Sequence, residues 1–417
     1  MSVSTGTGKP FVISKLAVME AYRKVRANKG AAGVDGVSME EFESDLKGNL
    51  YKIWNRLSSG TYFPPPVRAV SIPKLGGGIR VLGVPTIADR IAQTVVAGEL
   101  EKVVEPKFHP DSYGYRPRRG ALDAVGVCRK RCWASDWAIK VDIQGFFDTV
   151  DHALMLKAVE ANTDLPWVLL YVRRWLTAPL QQADGSLTER TAGTPQGSAV
   201  SPVLANLFLH YAFDAYMARK FPDVRFERYV DDLVVHAVSE RQAQMLRRVI
   251  DQRFAQVGLR MHPDKTVIAY CRDSRRNRSA ERITFDFLGF TFAPRGARDK
   301  KGEMFTSFLP AVSGAAMKRM GRELRSWQLH HATTLTLEGL AQRINPIVRG
   351  WMNYYGRFYR SKLYPLLMRI NTYLVRWAGR KFKRLRGFNR AYNWWWKVVP
   401  ANQSLFAHWA WSRGFQW

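Results

Sequence analysis

Three carboxylates set the chemical question. Asp142 closes the apolar run WAIKVDIQGFF (137–147), and Asp231 and Asp232 stand side by side in FERYVDDLVVHA (226–237). Alternation and β-branching on both sides of the pair read as strand, turn, strand, with the two aspartates at the hairpin tip. Adjacent like charges repel, and an Asp-Gly pair would turn the chain better, so folding alone does not call for them. A cation arriving between them removes the objection. Hard oxygen ligands at this density suit Mg²⁺. Two such ions about 3.5–4 Å apart can activate an attacking hydroxyl and hold a leaving phosphate in an in-line displacement. That chemistry asks the protein for charge neutralisation and positioning, with little covalent help.

Neighbouring strands must bring Asp142 to the pair, and the pattern around them supplies strands. VRAVSIPKLGGGIRVLGVPT (67–86) reads as a hairpin with strands 67–72 and 79–84 about Gly76, Gly77 and Gly78. It folds Lys74 towards Arg80, two cations that suit a triphosphate. Helices surround these strands. Ser38 with Glu41 makes a capping box, Thr86 and Asp89 cap a helix after the hairpin, and Asp151 caps another. The GTPQGS loop (193–198) leads to Ser201 as N-cap and Pro202 as first helical residue. LRMHPDKT and FDFLGFTF add further strands and turns. Hairpins without repeated βαβ units argue for an α+β fold, an antiparallel sheet covered by helices on one face.

APRGARDKKGEM (293–304) reads as a polar linker, followed by helical runs over 312–330, 336–359 and 364–384. The middle run breaks at Asn345–Pro346, and Ile347, Trp351, Tyr354 and Phe358 form its apolar stripe.

Charge narrows the partner. With 64 Lys+Arg against 35 Asp+Glu, the net charge is +29, which points to a polyanion, nucleic acid first. Glu338 is the last acidic residue, and 8 of the 14 Trp lie beyond it among unopposed cations, a mixture suited to phosphates and bases. No apolar run of membrane-spanning length appears, nor a signal peptide, so no membrane partner is expected. Three cysteines, Cys128, Cys132 and Cys271, make no disulfide framework and imply a reducing compartment. CRKRC lacks the distal pair that a structural zinc site needs.

A collinear series runs through nearly the whole chain: AGVDGVS, PPPVRAVSIPK, GVPTIADRIAQ, HPDSYGYRPRRGALDAV, DIQGFFDTVDH, GTPQGSAVSPVLANLFLH, YVDD, HPDKT, FLGFTF, NPIVRGWMNYYGRF and LFAHW. In this series the chain resembles the bacterial group II intron reverse transcriptases, the intron-encoded maturases. The resemblance implies a right-hand polymerase. Residues 1–300 would be fingers and palm, 306–375 the helical thumb or maturase domain, and 376–417 a basic, Trp-rich nucleic-acid-binding segment.

The same resemblance assigns roles. Asp142, Asp231 and Asp232, with the Ile143 carbonyl, would hold two Mg²⁺ ions. Lys265 would donate a proton to pyrophosphate. Lys74, Arg80 and Arg68 would grip the triphosphate, Phe147 would block a ribose 2′-hydroxyl, and Gln196 would line the nucleotide pocket. Leu288, Gly289 and Phe290 would steady the primer end. Arg349, Trp351, Tyr354 and Arg357, inside the thumb-like 341–359, would contact RNA. The implied partners are structured intron RNA, an RNA template with a DNA primer, and deoxynucleoside triphosphates; a homodimer is left open. The implied location is the bacterial cytoplasm, with nucleoid or ribonucleoprotein.

Two departures stand out. Val230 replaces the usual Ala of the YADD motif, a β-branched residue that favours the strand. Ser198 replaces a glycine and forfeits backbone freedom in the loop. No His/Cys cluster of the family's endonuclease is present, so DNA cutting is not expected of this chain. Other readings are a related reverse transcriptase recruited for DNA repair or phage defence, and a non-catalytic RNA-binding splicing factor.

Overall fold

The structure, a computed structural model, describes residues 9–73 and 78–414. Strands in chain order are β1 (Val67–Pro73), β2 (Ile79–Val84), β3 (Trp137–Asp142), β4 (Leu180–Gln181), β5 (Leu187–Thr188), β6 (Phe226–Tyr229), β7 (Asp232–Ala237), β8 (Val267–Tyr270), β9 (Phe285–Phe287), β10 (Phe290–Arg298) and β11 (Met304–Val312). They form sheets of order β2-β1-β4-β5, β6-β7-β3-β8 and β11-β10-β9. With the helices between them the class is α+β. The chain divides into two compact units, one of residues 1–120, 141–233 and 244–266, the other of 121–140, 234–243 and 267–417.

In the first unit β1 and β2 pair antiparallel, Arg68 opposite Val84 and Ile72 opposite Arg80. Helices Lys15–Ala27, Leu46–Ser59, Ile87–Val104, His152–Glu160, Pro166–Thr177 and Ser201–Leu209 accompany them. Their starts follow local chemistry. Ser38 and Glu41 close the capping box before Met39–Ser44, and Asp151 accepts from Leu154 N–H at 2.8 Å. Ser201 does not cap. It is the first helical residue, and its hydroxyl lies 2.5 Å from Thr194 Oγ1 and donates to the Pro195 carbonyl at 2.9 Å. The hydroxyl thus ties the helix to the GTPQGS loop. Thr86 does cap its helix, accepting from Asp89 N–H at 3.1 Å, whereas the buried Asp89 carboxylate does not cap and accepts from Tyr62, Gln93 and Trp175.

In the second unit, β3 residues Trp137 to Lys140 pair antiparallel with β8. Cys128 and Cys132 lie on the buried face of the helix Ala121–Ala134, and Cys271 is buried as well; none of the three is in a disulfide. Burial, then the neighbouring Cys128, pushes the Cys132 thiol up to about 12.

The expected linker at 293–304 is instead most of a long hairpin, in which Phe290 pairs with Val312 and Arg298 with Met304. Polar residues mislead here because the outer part of a two-stranded ribbon is solvated on both faces. The boundary expected at 300–306 therefore falls inside this hairpin.

The helix Leu337–Tyr359 runs through Pro346 without a break. Its buried stripe is Leu340, Ile344, Val348, Met352 and Tyr355, one position round from the expected one; Ile347, Trp351, Tyr354 and Phe358 are half-buried. Asn345 is buried because its amide holds a later segment, donating to the Leu405 carbonyl and accepting from Ala407 N–H, each at 2.8 Å. Trp377, Trp395 and Trp409 are core residues, whereas Trp396 is 49% exposed.

Candidate active site

The first unit holds all three aspartates. Asp142 is the half-buried last residue of β3, past a run from Ala138 to Val141 that is buried throughout. There the chain leaves β3 to pair with LRMHPDKT. His262 N–H donates to the Asp142 carbonyl at 2.7 Å and Gln144 N–H to the Arg260 carbonyl at 2.9 Å, bracketing an Ile143–Met261 bridge. Those bonds use groups on either side of Ile143, so its own carbonyl takes no part in that bridge. The same loop delivers Lys265, whose Nζ lies 3.3 Å from Asp142 Oδ2, and Thr266, whose hydroxyl accepts from Asp142 N–H at 3.4 Å.

The β6–β7 turn consists of Val230 and Asp231; Asp232 is already the first residue of β7. The pair is therefore split, one carboxylate in the turn and one on the strand. Val230 has φ 57°, left-handed backbone that a β-branched residue rarely adopts. The expectation that Val230 favours the strand is overturned: it sits in the turn and is strained there. Asp142, Asp231 and Asp232 do not bring one oxygen each within 4.8 Å of the others. The Lys265 ammonium stands beside one member, Asp142. A set made wholly of hard oxygens, with a cation beside it, fits a divalent metal ion.

On the nucleotide side, Phe147 is half-buried in the short helix Phe146–Thr149, which follows Gly145 at φ 58°. The Phe147 carbonyl accepts from Thr194 N–H at 2.7 Å, fastening it to the GTPQGS loop. Gln196 gives its carbonyl to Gly83 N–H at 2.8 Å. Gly197 has φ 114°, and a Cβ there would stand 2.6 Å from the Gly83 carbonyl oxygen, so only glycine fits.

Ser198 is different. Its φ is not positive, so it forfeits nothing to glycine, and its hydroxyl donates to Gln93 Oε1 at 2.6 Å. Gln93 passes the connection on to Asp89, whose carboxyl burial pushes up to about 6 despite three donors. Arg68, on β1, has its Nε buried with no hydrogen-bond partner among the described residues. Arg80 is exposed on β2. Lys74 lies outside the described residues.

Some residues of this site were not singled out from the sequence. Tyr115, at φ 54°, has its hydroxyl pKa raised by burial and then by Tyr229 and Asp231, with Arg80 opposing. Its only sequence signal was its place in HPDSYGYRPRRG. Gly114, Asn206, Asp214 and Arg228 form a buried network behind the turn.

In the second unit, Leu288 (φ 51°) and Gly289 (φ 80°) make the two-residue turn between β9 and β10. The Leu288 carbonyl accepts from Tyr354 Oη at 2.9 Å, and Phe290 is buried against Tyr354, Tyr355 and Phe358. The proposed primer-steadying turn is thus built onto the helix of the proposed RNA contacts. In that helix Arg349 and Arg357 are exposed, Trp351 stacks on Trp327 at 5.3 Å, and Tyr354 is engaged in packing.

Comparison with known proteins identifies the family. Residues 72–292 match the model of reverse transcriptase (RNA-dependent DNA polymerase), and residues 317–396 that of the group II intron maturase-specific domain. The chain belongs to the reverse transcriptase family. It is 31% identical to Protein YkfC of Escherichia coli (strain K12) over 330 residues, 68% of this chain and 82% of that one. It is 31% identical to the group II intron-encoded protein LtrA of Lactococcus lactis subsp. cremoris over 191 residues, 46% of this chain and 32% of that one. The putative COX1/OXI3 intron 2 protein of Saccharomyces cerevisiae is 29% identical over 211 residues, 48% and 23% of the two chains. A Candida albicans telomerase structure aligns over 89% of this chain and 67% of that one, with TM-score 0.47 and 13% identity.

The family's enzymes are RNA-directed DNA polymerases of α+β right-hand fold that use divalent metal ions and work on a template and primer. This reverse transcriptase also carries the maturase-specific domain of group II introns.

Proposed function

We propose that this reverse transcriptase serves a group II intron, copying RNA into DNA and binding the structured intron RNA to assist its splicing and mobility. The observation that carries the catalytic half is the placement of Asp142, Ile143, Asp231, Asp232 and Lys265 in one unit, at a strand end, a turn and the loop beside them. Asp142, Asp231 and Asp232, with the Ile143 carbonyl, would hold two Mg²⁺ ions. When bound, these supply the Lewis acidity that activates the primer hydroxyl and neutralises the phosphates.

The chain's own groups do the rest. Arg68, Lys74 and Arg80 position the triphosphate of an incoming deoxynucleotide. Phe147 occupies the space of a ribose 2′-hydroxyl, and Gln196 lines the base side. Lys265 leaves Asp142 as the nucleotide arrives and gives its proton to the pyrophosphate. Leu288, Gly289 and Phe290 set the primer end. Arg349 and Arg357, exposed on the maturase-domain helix, meet RNA phosphates, with Trp351 and Tyr354 as their packed support. The reading places the protein in the bacterial cytoplasm as part of a ribonucleoprotein.

The test is magnesium-dependent extension of a DNA primer on an RNA template, beside a splicing assay with the intron RNA. Asp142→Ala and Asp231→Asn should abolish extension and spare splicing. Undiminished extension by Asp142→Ala would remove the site assignment; intact extension with no effect on splicing in any condition would remove the maturase half.

A further inference from the structure

The strained residue next to Asp231 needs something to hold it. Val230 is 3% exposed, at φ 57°, and a β-branched residue stays in that region only where its surroundings over-determine it. Those surroundings begin at Arg228, on β6 two residues earlier. Its guanidinium is fully buried and grips Asp214 through both oxygens, Nε to Oδ1 at 2.7 Å and Nη2 to Oδ2 at 2.6 Å. Its remaining nitrogen donates to Asn206 Oδ1 at 3.0 Å and to the Val230 carbonyl at 3.4 Å. Asn206 turns its amide the other way and donates to the Gly114 carbonyl at 2.7 Å. The segment before Gly114 is laced to the same strand, Arg228 N–H to the Asp111 carbonyl at 2.9 Å and Tyr113 N–H to the Arg228 carbonyl at 2.8 Å.

Gly114 completes the enclosure by having no side chain. A Cβ on it would lie 2.5 Å from Val230 Cγ2 and 2.9 Å from Val230 N. The turn therefore rests on bare backbone on one side and on an ion pair on the other.

Asp214 and Asn206 reach one guanidinium because of a local irregularity. The helix Ser201–Leu209 continues through a π-helical turn, His210–Asp214. In an unbroken α-helix, residues eight apart point about 80° away from each other, at about 100° per residue. One inserted residue lets a seven-residue α-helical spacing stand in, which brings the two to within about 20°. The π-turn is what lets Asn206 and Asp214 share Arg228.

We infer that Arg228, Asp214, Asn206 and Gly114 are positioning residues that fix the Val230–Asp231 turn, and through it the aim of the Asp231 carboxylate at the metal site. The inference rests on the polymerase reading above, and it adds a class of residue that touches neither metal nor nucleotide. A buried ion pair loses much when one partner goes, so Asp214 and Arg228 variants would confuse aim with folding. Gly114→Ala is the better probe. Its φ is not positive, so alanine brings no φ strain of its own and acts by pushing on the Tyr229–Val230 backbone and the Val230 side chain.

The experiment uses the full chain. Gly114→Ala, Asn206→Ala and the double variant Gly114→Ala/Val230→Gly are compared with wild type in four measurements: kcat, KM for deoxynucleotide, melting temperature, and Mn²⁺ affinity by EPR without nucleotide. Gly114→Ala should lower kcat by about tenfold or more, since a small misplacement of a catalytic group has that effect. It should also weaken Mn²⁺ binding several-fold and lower the melting temperature, because its Cβ meets buried backbone at 2.9 Å, while leaving KM near wild type. Val230→Gly in the same chain removes the atom at 2.5 Å, though not the backbone nitrogen at 2.9 Å, and should restore part of both losses. Asn206→Ala should reproduce the Mn²⁺ defect, which keeps the test open if Gly114→Ala misfolds. Unchanged Mn²⁺ affinity in both single variants, whatever their kcat, overturns the inference. A wild-type protein with no primer extension would instead sink the polymerase reading.

Discussion

Tyr354 donates its hydroxyl to the carbonyl of Leu288 at 2.9 Å, joining the maturase-domain helix to a turn whose two residues both have positive φ. The bond satisfies a carbonyl in a turn where a bulky residue is otherwise disfavoured. Tyr354→Phe should cost about 1 kcal/mol of stability, the usual worth of one hydrogen bond. Gly289→Ala should cost more, about 1–3 kcal/mol, because alanine is strained at φ 80° and its Cβ would meet Tyr355 Oη at 3.2 Å. Urea unfolding of the two variants ranks them, and the reverse order would contradict this account of the turn.

Asp89 predicts a pH dependence with a definite sign. Burial raises its carboxyl from 3.8 to about 6, against hydrogen bonds from Trp175, Tyr62 and Gln93 that favour the ionised form. Between those values the folded state holds the proton and the unfolded state does not, so stability falls as pH rises from about 4 to 6. The loss attributable to this group is on the order of 2–3 kcal/mol. Asp89→Asn abolishes titration there. Unfolding midpoints measured across pH 4 to 7 should therefore fall more steeply with pH in wild type than in the variant, and parallel curves would show that Asp89 does not titrate in this window.

The motifs were legible where chemistry and local geometry coincide. Asp142 ends a strand, Asp231 enters a turn, and the capping box at Ser38 and Glu41 forms, because each depends on neighbours a few residues away. What stayed hidden depends on distant partners. Asn345 looked like a helix breaker beside Pro346, yet its amide bonds to Leu405 and Ala407, which no local pattern announces. The hairpin at 293–304 has the sequence of a linker because an extended two-stranded ribbon has little apolar face. Nothing local in the sequence marks Arg228 and Asp214, which a π-turn and a strand bury together.

Ser198 illustrates the same point with a measurable consequence. From sequence it is a glycine position that lost its freedom; in the structure its hydroxyl holds Gln93 at 2.6 Å, next to an Ala199 N–H bond to the same oxygen at 2.7 Å. Ser198→Gly should therefore destabilise the loop, by about 1 kcal/mol for the hydrogen bond and a further 0.5–1 kcal/mol of backbone entropy. Because the loop carries Gln196, KM for deoxynucleotide should rise several-fold. A tighter KM in Ser198→Gly would show that glycine's freedom matters more than the anchor.

Asn345→Ala tests the hold on the C-terminal segment. Removing the amide leaves the Leu405 carbonyl and the Ala407 N–H without their partner, a cost of about 1–3 kcal/mol for buried groups. The neighbouring anchor, Asn371 Oδ1 accepting from Trp409 Nε1 at 3.1 Å, remains. The segment should therefore loosen at Leu405–Ala407 before it detaches at Trp409. Hydrogen exchange of the Ala407 amide should accelerate strongly in the variant, with Trp409 less affected; equal acceleration of both would mean the two anchors let go together.

RNA binding should separate exposed cations from packed aromatics in the same helix. Arg349 and Arg357 are exposed, while Trp351 stacks on Trp327 and Tyr354 bonds to Leu288. A cation that neutralises a phosphate releases a counterion, so its loss lowers the slope of log K against log salt by about 0.7–0.9. Arg349→Gln and Arg357→Gln should each flatten the slope by that amount between roughly 50 and 200 mM salt. Tyr354→Phe keeps the ring in place and removes no charge, so it should leave the slope alone. If both arginine variants keep the wild-type slope, the phosphate contacts lie elsewhere among the 15 cations that follow the last acidic residue, Glu338.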